Sequence, residues 1–405
     1  MKRLFVIATA LAIAACSSGG GGKPAGSAGG PCYDGGTCDG TLTCVSEVCV
    51  DLSELIDGDT LAADTATDDP VDDTTTDDQS DPTDQPDLSD DTVTDTALPD
   101  EDTADEDTLL PDADSDTAEC VDGAIFAVDC EGSGKQVAEC AGGQWGEFGE
   151  CLDITQAVID LADGSACADY YWEDRGDAPP AYTRGMALVF AGAFCHRDRS
   201  DVALVSAAET TDTEHDALAW YDQIFSDLGM DNSAAGVDIL RHAYTLLIGL
   251  GMRESSGEHC CGRDMSADNV TADTAEAGLF QTSYNSHIFS DELDTLYADW
   301  KVSYEFSNYK CLLDVFSEDV YCGDADWENY GTGEGVLFQD LEKRCPIFAA
   351  EYAAVMLRVS GGSKGHYGPL RTRAAEVRPE CDAMFAAVQA LIEEHPHHCQ
   401  FLVNY

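Results

Sequence analysis

The sequence predicts a mainly α C-terminal domain, preceded by small disulfide-rich modules and a disordered acidic linker. Three observations carry that expectation. Apolar residues recur at three-to-four spacing through much of residues 154–405. Two groups of four cysteines lie in stretches too short to build a hydrophobic core. Between those groups, residues 51–118 hold 26 Asp or Glu and no Lys or Arg, with Thr, Ser and Pro filling most of the rest.

The 405-residue chain carries 79 Asp plus Glu against 20 Lys plus Arg, a formal net charge of −59. That balance argues against nucleic acid as a partner, because phosphates need basic side chains to neutralise them. It argues equally against charge-driven attachment to anionic lipid. Eighteen cysteines point away from a reducing cytosol.

Residues 1–16 read as an export signal. Lys2 and Arg3 precede an apolar run from Leu4 to Ala15, too short to span a bilayer. The run ends in Ile13-Ala14-Ala15-Cys16, which resembles the lipobox of bacterial lipoproteins. The resemblance implies that Cys16 is lipidated and anchors the chain to the membrane of a bacterial cell envelope. Ser17 and Ser18 lean toward the outer membrane.

Residues 17–50 read as a Gly-rich spacer and a module with Cys32, Cys38, Cys44 and Cys49, expected to form two disulfides. The linker at 51–118 should stay extended by self-repulsion and act as a tether. Residues 119–153 form a second module with Cys120, Cys130, Cys140 and Cys151, again with two disulfides expected.

In the domain at 154–405, helices are expected over Thr183–His196, Glu214–Leu228 with a Thr213 cap, and Ala234–Glu254, the most apolar. Asp291–Trp300, Cys345–Val359 and Pro379–Glu394 follow. Gly331 to Gly335 reads as a loop. Nine cysteines leave one unpaired or paired outside the domain. His395, His397, His398 and Cys399 suggest a metal cluster, but no second ligand group has matching spacing, so no metal or cofactor is expected.

The chemistry concentrates between Gly251 and Ser286. An apolar helix delivers Glu254 at its C-terminal end. The negative end of the helix dipole and burial both disfavour a carboxylate, which suits a general acid. Ser255, Ser256 and Gly257 then break the helix. About twenty residues on, Gly278 permits close backbone approach and Gln281 supplies an amide.

Glu254-Ser255-Ser256-Gly257 followed by Gly278-Leu279-Phe280-Gln281 resembles the lytic transglycosylase and goose-type lysozyme pattern. In that pattern a Glu-Ser pair precedes Gly-Leu-Met-Gln. Here Phe280 stands for the methionine. The third motif has a loose counterpart at Gly361 to Pro369, with Tyr367 but no asparagine after it. The resemblance implies an α+β lysozyme-like fold and a cleft for peptidoglycan glycan strands. It implies Glu254 as the catalytic acid, and substrate contacts from Ser256, Gly278, Leu279, Phe280, Gln281, Tyr284, His366 and Tyr367.

A lytic route needs only Glu254: the substrate's N-acetyl group stabilises the cation and its C6 hydroxyl closes a 1,6-anhydro ring. Inverting hydrolysis needs a second carboxylate ~6.5–9.5 Å away. Asp273 and Glu276 are candidates, with Asp264 and Asp268 further off in sequence. Residues 155–405 carry 42 acids against 16 Lys plus Arg. An anionic wall polymer is then steered poorly unless a basic patch exists, with Arg253, Arg263, Arg371 and Arg373 available. The rival readings are a non-catalytic glycan-binding or adhesion lipoprotein and a chitinase-like hydrolase.

Overall fold

The computed structural model describes residues 43–45, 48–50, 120–263, 271–306 and 311–402. Cys16, where lipidation is expected, lies outside the described residues, as do the acidic linker, Asp264, Asp268 and most of the first cysteine module. One antiparallel hairpin of that module is described, β1 (Thr43–Val45) with β2 (Val48–Val50), which sets Cys44 opposite Cys49. It falls in one of two units of the chain, Gly19–Asp116.

The other unit includes Thr117–Tyr405. It opens with a three-stranded antiparallel sheet, β3 (Ile125–Asp129), β4 (Lys135–Ala141) and β5 (Gln144–Trp145), in the order β3-β4-β5. Cys120–Cys140 and Cys130–Cys151 staple it, the two disulfides expected of this module. So small a sheet needs such staples, since its core reduces to a few residues such as Val137 and Ala138.

The remainder is mainly helical. It runs α1 (Ile154–Asp163), a short hairpin of β6 (Tyr171–Trp172) and β7 (Gly176–Asp177), α2 (Pro180–Cys195), α3 (Ser200–Val205), α4 (Ala217–Asp227) and α5 (Val237–Ser255). Then come α6 (Asp291–Phe306), α7 (Leu313–Phe316), α8 (Asp324–Trp327), α9 (Glu334–Arg344), α10 (Pro346–Ser360), α11 (Gly368–Arg371) and α12 (Pro379–Glu394). A 3₁₀ turn, Pro396–Phe401, closes the described chain. Among the described residues no helix is long and apolar enough to cross a membrane.

Nearly all of α2 and α10 and most of α5 are buried, so these helices are apolar around their circumference and pack on one another at the centre. Phe190 of α2, Tyr244 of α5 and Phe385 of α12 interlock with ring centroids 5.0–6.1 Å apart. Around that centre α1 covers α2, while α12 lies against α2 and α5.

Two expectations need correction. Helix α4 starts at Ala217, three residues late, because the Asp216 carboxylate, not Thr213, accepts from the Leu218 N–H at 3.0 Å. The glycine run at 331–335 is not all loop, since α9 begins at Glu334. Cys399 is bonded to Cys195, His398 Nε2 meets the Lys135 carbonyl at 3.2 Å, and His397 Nε2 lies 3.3 Å from Glu139. The histidine cluster therefore docks the three-stranded module onto the helical body.

Disulfides Cys167–Cys381, Cys260–Cys322 and Cys311–Cys345 cross-link the helical body. Cys261 is disulfide-bonded as well, so the ninth cysteine is not a spare thiol.

Candidate functional site

Helix α5 ends where its expected acid sits. Glu254 is its penultimate residue and is half-buried. Ser256 adopts a left-handed conformation, φ 57°, and its N–H bonds back to the Met252 carbonyl at 3.1 Å, which stops the helix. The Ser255 hydroxyl donates to the Gly251 carbonyl at 3.1 Å and is fully buried.

The helix end is not bare. Arg175, from the β6–β7 turn, donates from Nε to the Met252 carbonyl at 3.1 Å and from Nη2 to the Arg253 carbonyl at 2.8 Å. Burial lowers the Arg175 pKa, the charge of Arg253 lowers it further, and the negative charges of Asp174 and Glu254 raise it. The dipole that the sequence sets against Glu254 is thus met by a cation drawn from a turn some 80 residues upstream.

The second motif forms a tight turn closed by a β-bridge between Ala277 and Thr282. Gly278 sits at φ +74°, and a Cβ there would lie 2.5 Å from the Glu342 carbonyl oxygen. Its N–H bonds to the Cys261 carbonyl at 2.9 Å, tying the turn to the chain leaving α5. Gln281 is buried, with its side-chain N–H donating to the Gly278 carbonyl at 3.1 Å. Leu279 and Phe280 are wholly enclosed, and Phe280 packs against Gly251 of α5. Their expected role as direct substrate contacts needs correction. In this conformation they form the base on which the turn rests, because apolar side chains between two elements gain most from leaving water.

The third segment arrives at the same turn. Tyr367 is buried, and its hydroxyl shares a 3.1 Å hydrogen bond with Thr282 Oγ1. Burial pushes the Tyr367 hydroxyl well above its usual range; the Thr282 bond lowers it, and the negative charges of Glu342 and Glu254 raise it. The end of α5, the 277–282 turn and Tyr367 are thereby joined by the Gly251–Phe280, Cys261–Gly278 and Thr282–Tyr367 contacts, although the chain separates Glu254 from Tyr367 by 113 residues.

The remaining candidates fall on either side. Glu276 is half-buried, with Oε1 4.0 Å from His366 Nε2. Burial pulls the His366 imidazole down to about 4, with a smaller contribution from Arg371, so it is neutral at pH 7. Its ring abuts Tyr367 and Phe289, with centroids 5.4 and 6.5 Å away. Asp273 is exposed on a 3₁₀ turn, and its charge acts on Tyr284, which stacks on His287 at 4.7 Å.

One residue beneath the turn is not singled out by the sequence. Glu342 of α9 is fully buried, and neither carboxylate oxygen has a hydrogen-bond partner among the described residues. Burial alone raises its pKa well above the carboxylate range. A glutamate in a run of charged residues, Glu342-Lys343-Arg344, gives no sign of burial in the sequence. Lys343 is buried too; its ammonium donates to the Asp326 and Glu328 carbonyls at 2.8 and 3.0 Å, and burial drops its pKa to about 8.

The sign of the Glu342 effect on stability is fixed. The folded chain keeps the proton at pH values where the unfolded chain loses it. Its folded pKa is raised, so stability falls as pH climbs past the unfolded value. Glu342→Met should therefore gain about 1–3 kcal/mol in urea denaturation at pH 7, and less near pH 4. In the same assay Gly278→Ala should lose about 2–4 kcal/mol, from the positive φ and the clash with the Glu342 carbonyl.

His259, Cys260 and Cys322 place metal-type atoms near one another. The two sulfurs are bonded to each other, and His259 Nδ1 faces the Lys343 carbonyl at 3.0 Å. No thiolate is left there to hold an ion.

No protein-family model matches the chain, and neither a curated protein nor a solved structure is similar to it.

Proposed function

We propose that the helical domain is a lysozyme-like head that cleaves β-1,4 glycosidic bonds of peptidoglycan glycan strands, with Glu254 as general acid. In this reading the chain is a bacterial envelope lipoprotein, anchored to the outer membrane through Cys16. The observation that carries it is the convergence of the three motif segments. The end of α5 packed on Phe280, the Gly278–Gln281 turn bonded to Cys261, and Tyr367 bonded to Thr282 meet in one place.

Glu254 protonates the glycosidic oxygen. Tyr367 and Thr282 fix the turn beside it, and Gly278 and the buried Gln281 amide hold the shape of the turn along which a sugar lies. The second carboxylate of a hydrolytic variant is Glu276, next to His366 and hence to Tyr367. Asp273 stands with the Tyr284 cluster instead.

The test is product analysis. Purified sacculi are incubated with the full chain and the soluble products are weighed by mass spectrometry. Muropeptides ending in 1,6-anhydro sugars give the single-acid route. Products heavier by one water give hydrolysis with Glu276. Cleavage of chitin oligomers with intact sacculi gives the chitinase-like rival, and no cleavage of either gives a binding module.

A further inference from the structure

We propose that the cavity beside the end of α5 binds a carboxylate group of a short peptide. The cavity has a volume of about 350 Å³ and is lined by Arg253, Arg373 and Arg378, with Ile224 and Val377 among its apolar wall. Glu173, Asp174 and Glu376 also border it.

The acids leave Arg373 available and hold Arg253 only at long range. Glu376 is engaged: it accepts from the Glu173 N–H at 2.8 Å and the Tyr170 hydroxyl at 3.3 Å, and pairs with Arg378. The Asp174 carboxylate is 79 % exposed and reaches only to 3.9 Å from Arg253. Arg373 forms no ion pair among the described residues. It donates to the Trp220 carbonyl at 2.6 Å and lies over the Trp220 ring at 3.7 Å. Arg253 is held by a 2.8 Å bond to the Glu173 carbonyl. A carbonyl and a ring orient the Arg373 guanidinium without neutralising it, while Arg253 keeps, beyond its own carbonyl partner, the long contact to Asp174.

That is unusual in a chain with 79 acids and 20 bases, where nearly any arginine can find a carboxylate. Their fields converge: burial pushes the Tyr221 hydroxyl up, while Arg373 and Arg253 both pull it down. A planar fork with spare N–H groups suits a carboxylate, and fixing it beforehand reduces the entropy lost on binding. The wall of Ile224, Ala374, Ala375 and Val377 suits a small apolar substituent beside that carboxylate, as on an alanine-containing peptide.

The carboxylate preference stands on the cavity alone. That the peptide is borne by a glycan rests on the function proposed above, since Arg253 directly precedes Glu254. The arginines also give an acidic head a local means of accepting an anionic polymer that its net charge repels.

The test is calorimetric binding to the full chain carrying Glu254→Gln, so that cleavage plays no part. The probes are N-acetylmuramyl-L-alanyl-D-glutamate and its amidated form. The acid should bind at least about tenfold more tightly than the amide, and Arg373→Gln should reduce that ratio to near one. Arg373→Lys should retain part of it, and circular dichroism should read both variants as folded. Equal binding of acid and amide, no binding of either, or a ratio unchanged by Arg373→Gln overturns the proposal. Selective binding in a chain that releases nothing from sacculi keeps this inference and removes the enzymatic reading.

Discussion

Glu254→Gln should lower muropeptide release from sacculi by about 10²–10⁴-fold, the usual contribution of a positioned general acid. The substitution keeps the size and most hydrogen-bonding capacity of the side chain and removes its transferable proton. Glu254 is half-buried at the end of α5, where Arg175 already satisfies the terminal carbonyls, so the helix does not depend on this carboxylate. The melting temperature should then stay within about 2 °C of the parent. Release that is unchanged points to a different acid. A large loss of stability together with activity returns Glu254 to a structural role.

The largest effect on stability is expected at Arg358. This side chain, 4 % exposed, forks onto both oxygens of Asp216 at 3.0 and 3.1 Å. It also donates to the Leu204, Val205, Ala207 and Ala208 carbonyls at 2.7–3.2 Å. One guanidinium of α10 thus satisfies the end of α3 and braces the cap of α4. Arg358→Met leaves a buried carboxylate and several carbonyls without their donor, and should cost about 3–5 kcal/mol in urea denaturation. Adding Asp216→Leu should recover part of the loss, since it removes the uncompensated charge. A single variant within about 1 kcal/mol of the parent would mean that water replaces the guanidinium.

Much of the helical body was legible in the sequence because its helices are long and apolar. Pro379–Glu394 matches in both bounds, and α2, α5 and α10 match within three residues at either end. Helix α9 was hidden because Glu342 and Lys343 are charged yet buried, which breaks the apolar period. The short α3 was missed because six residues carry less than two turns of pattern. Disulfide partners were not legible, since Cys167–Cys381 spans 214 residues and no local spacing encodes it.

For the site, residue type and order pointed to Glu254, Gly278, Gln281 and Tyr367. They do not distinguish a ligand contact from a core residue, so in the sequence Leu279 and Phe280 read as substrate contacts. Arg175 and Glu342 were out of reach for another reason. Each acts on the site from a distant segment, and in an acidic chain neither stands out until packing brings it close.

A crystal structure of the chain carrying Glu254→Gln, grown with a muropeptide tetrasaccharide, reads the central claim most directly. The account predicts a glycosidic oxygen within hydrogen-bond reach, about 3 Å, of the residue 254 amide, with the sugar laid along the Gly278–Gln281 turn. A saccharide seated elsewhere on the domain, with residue 254 facing solvent, would contradict it.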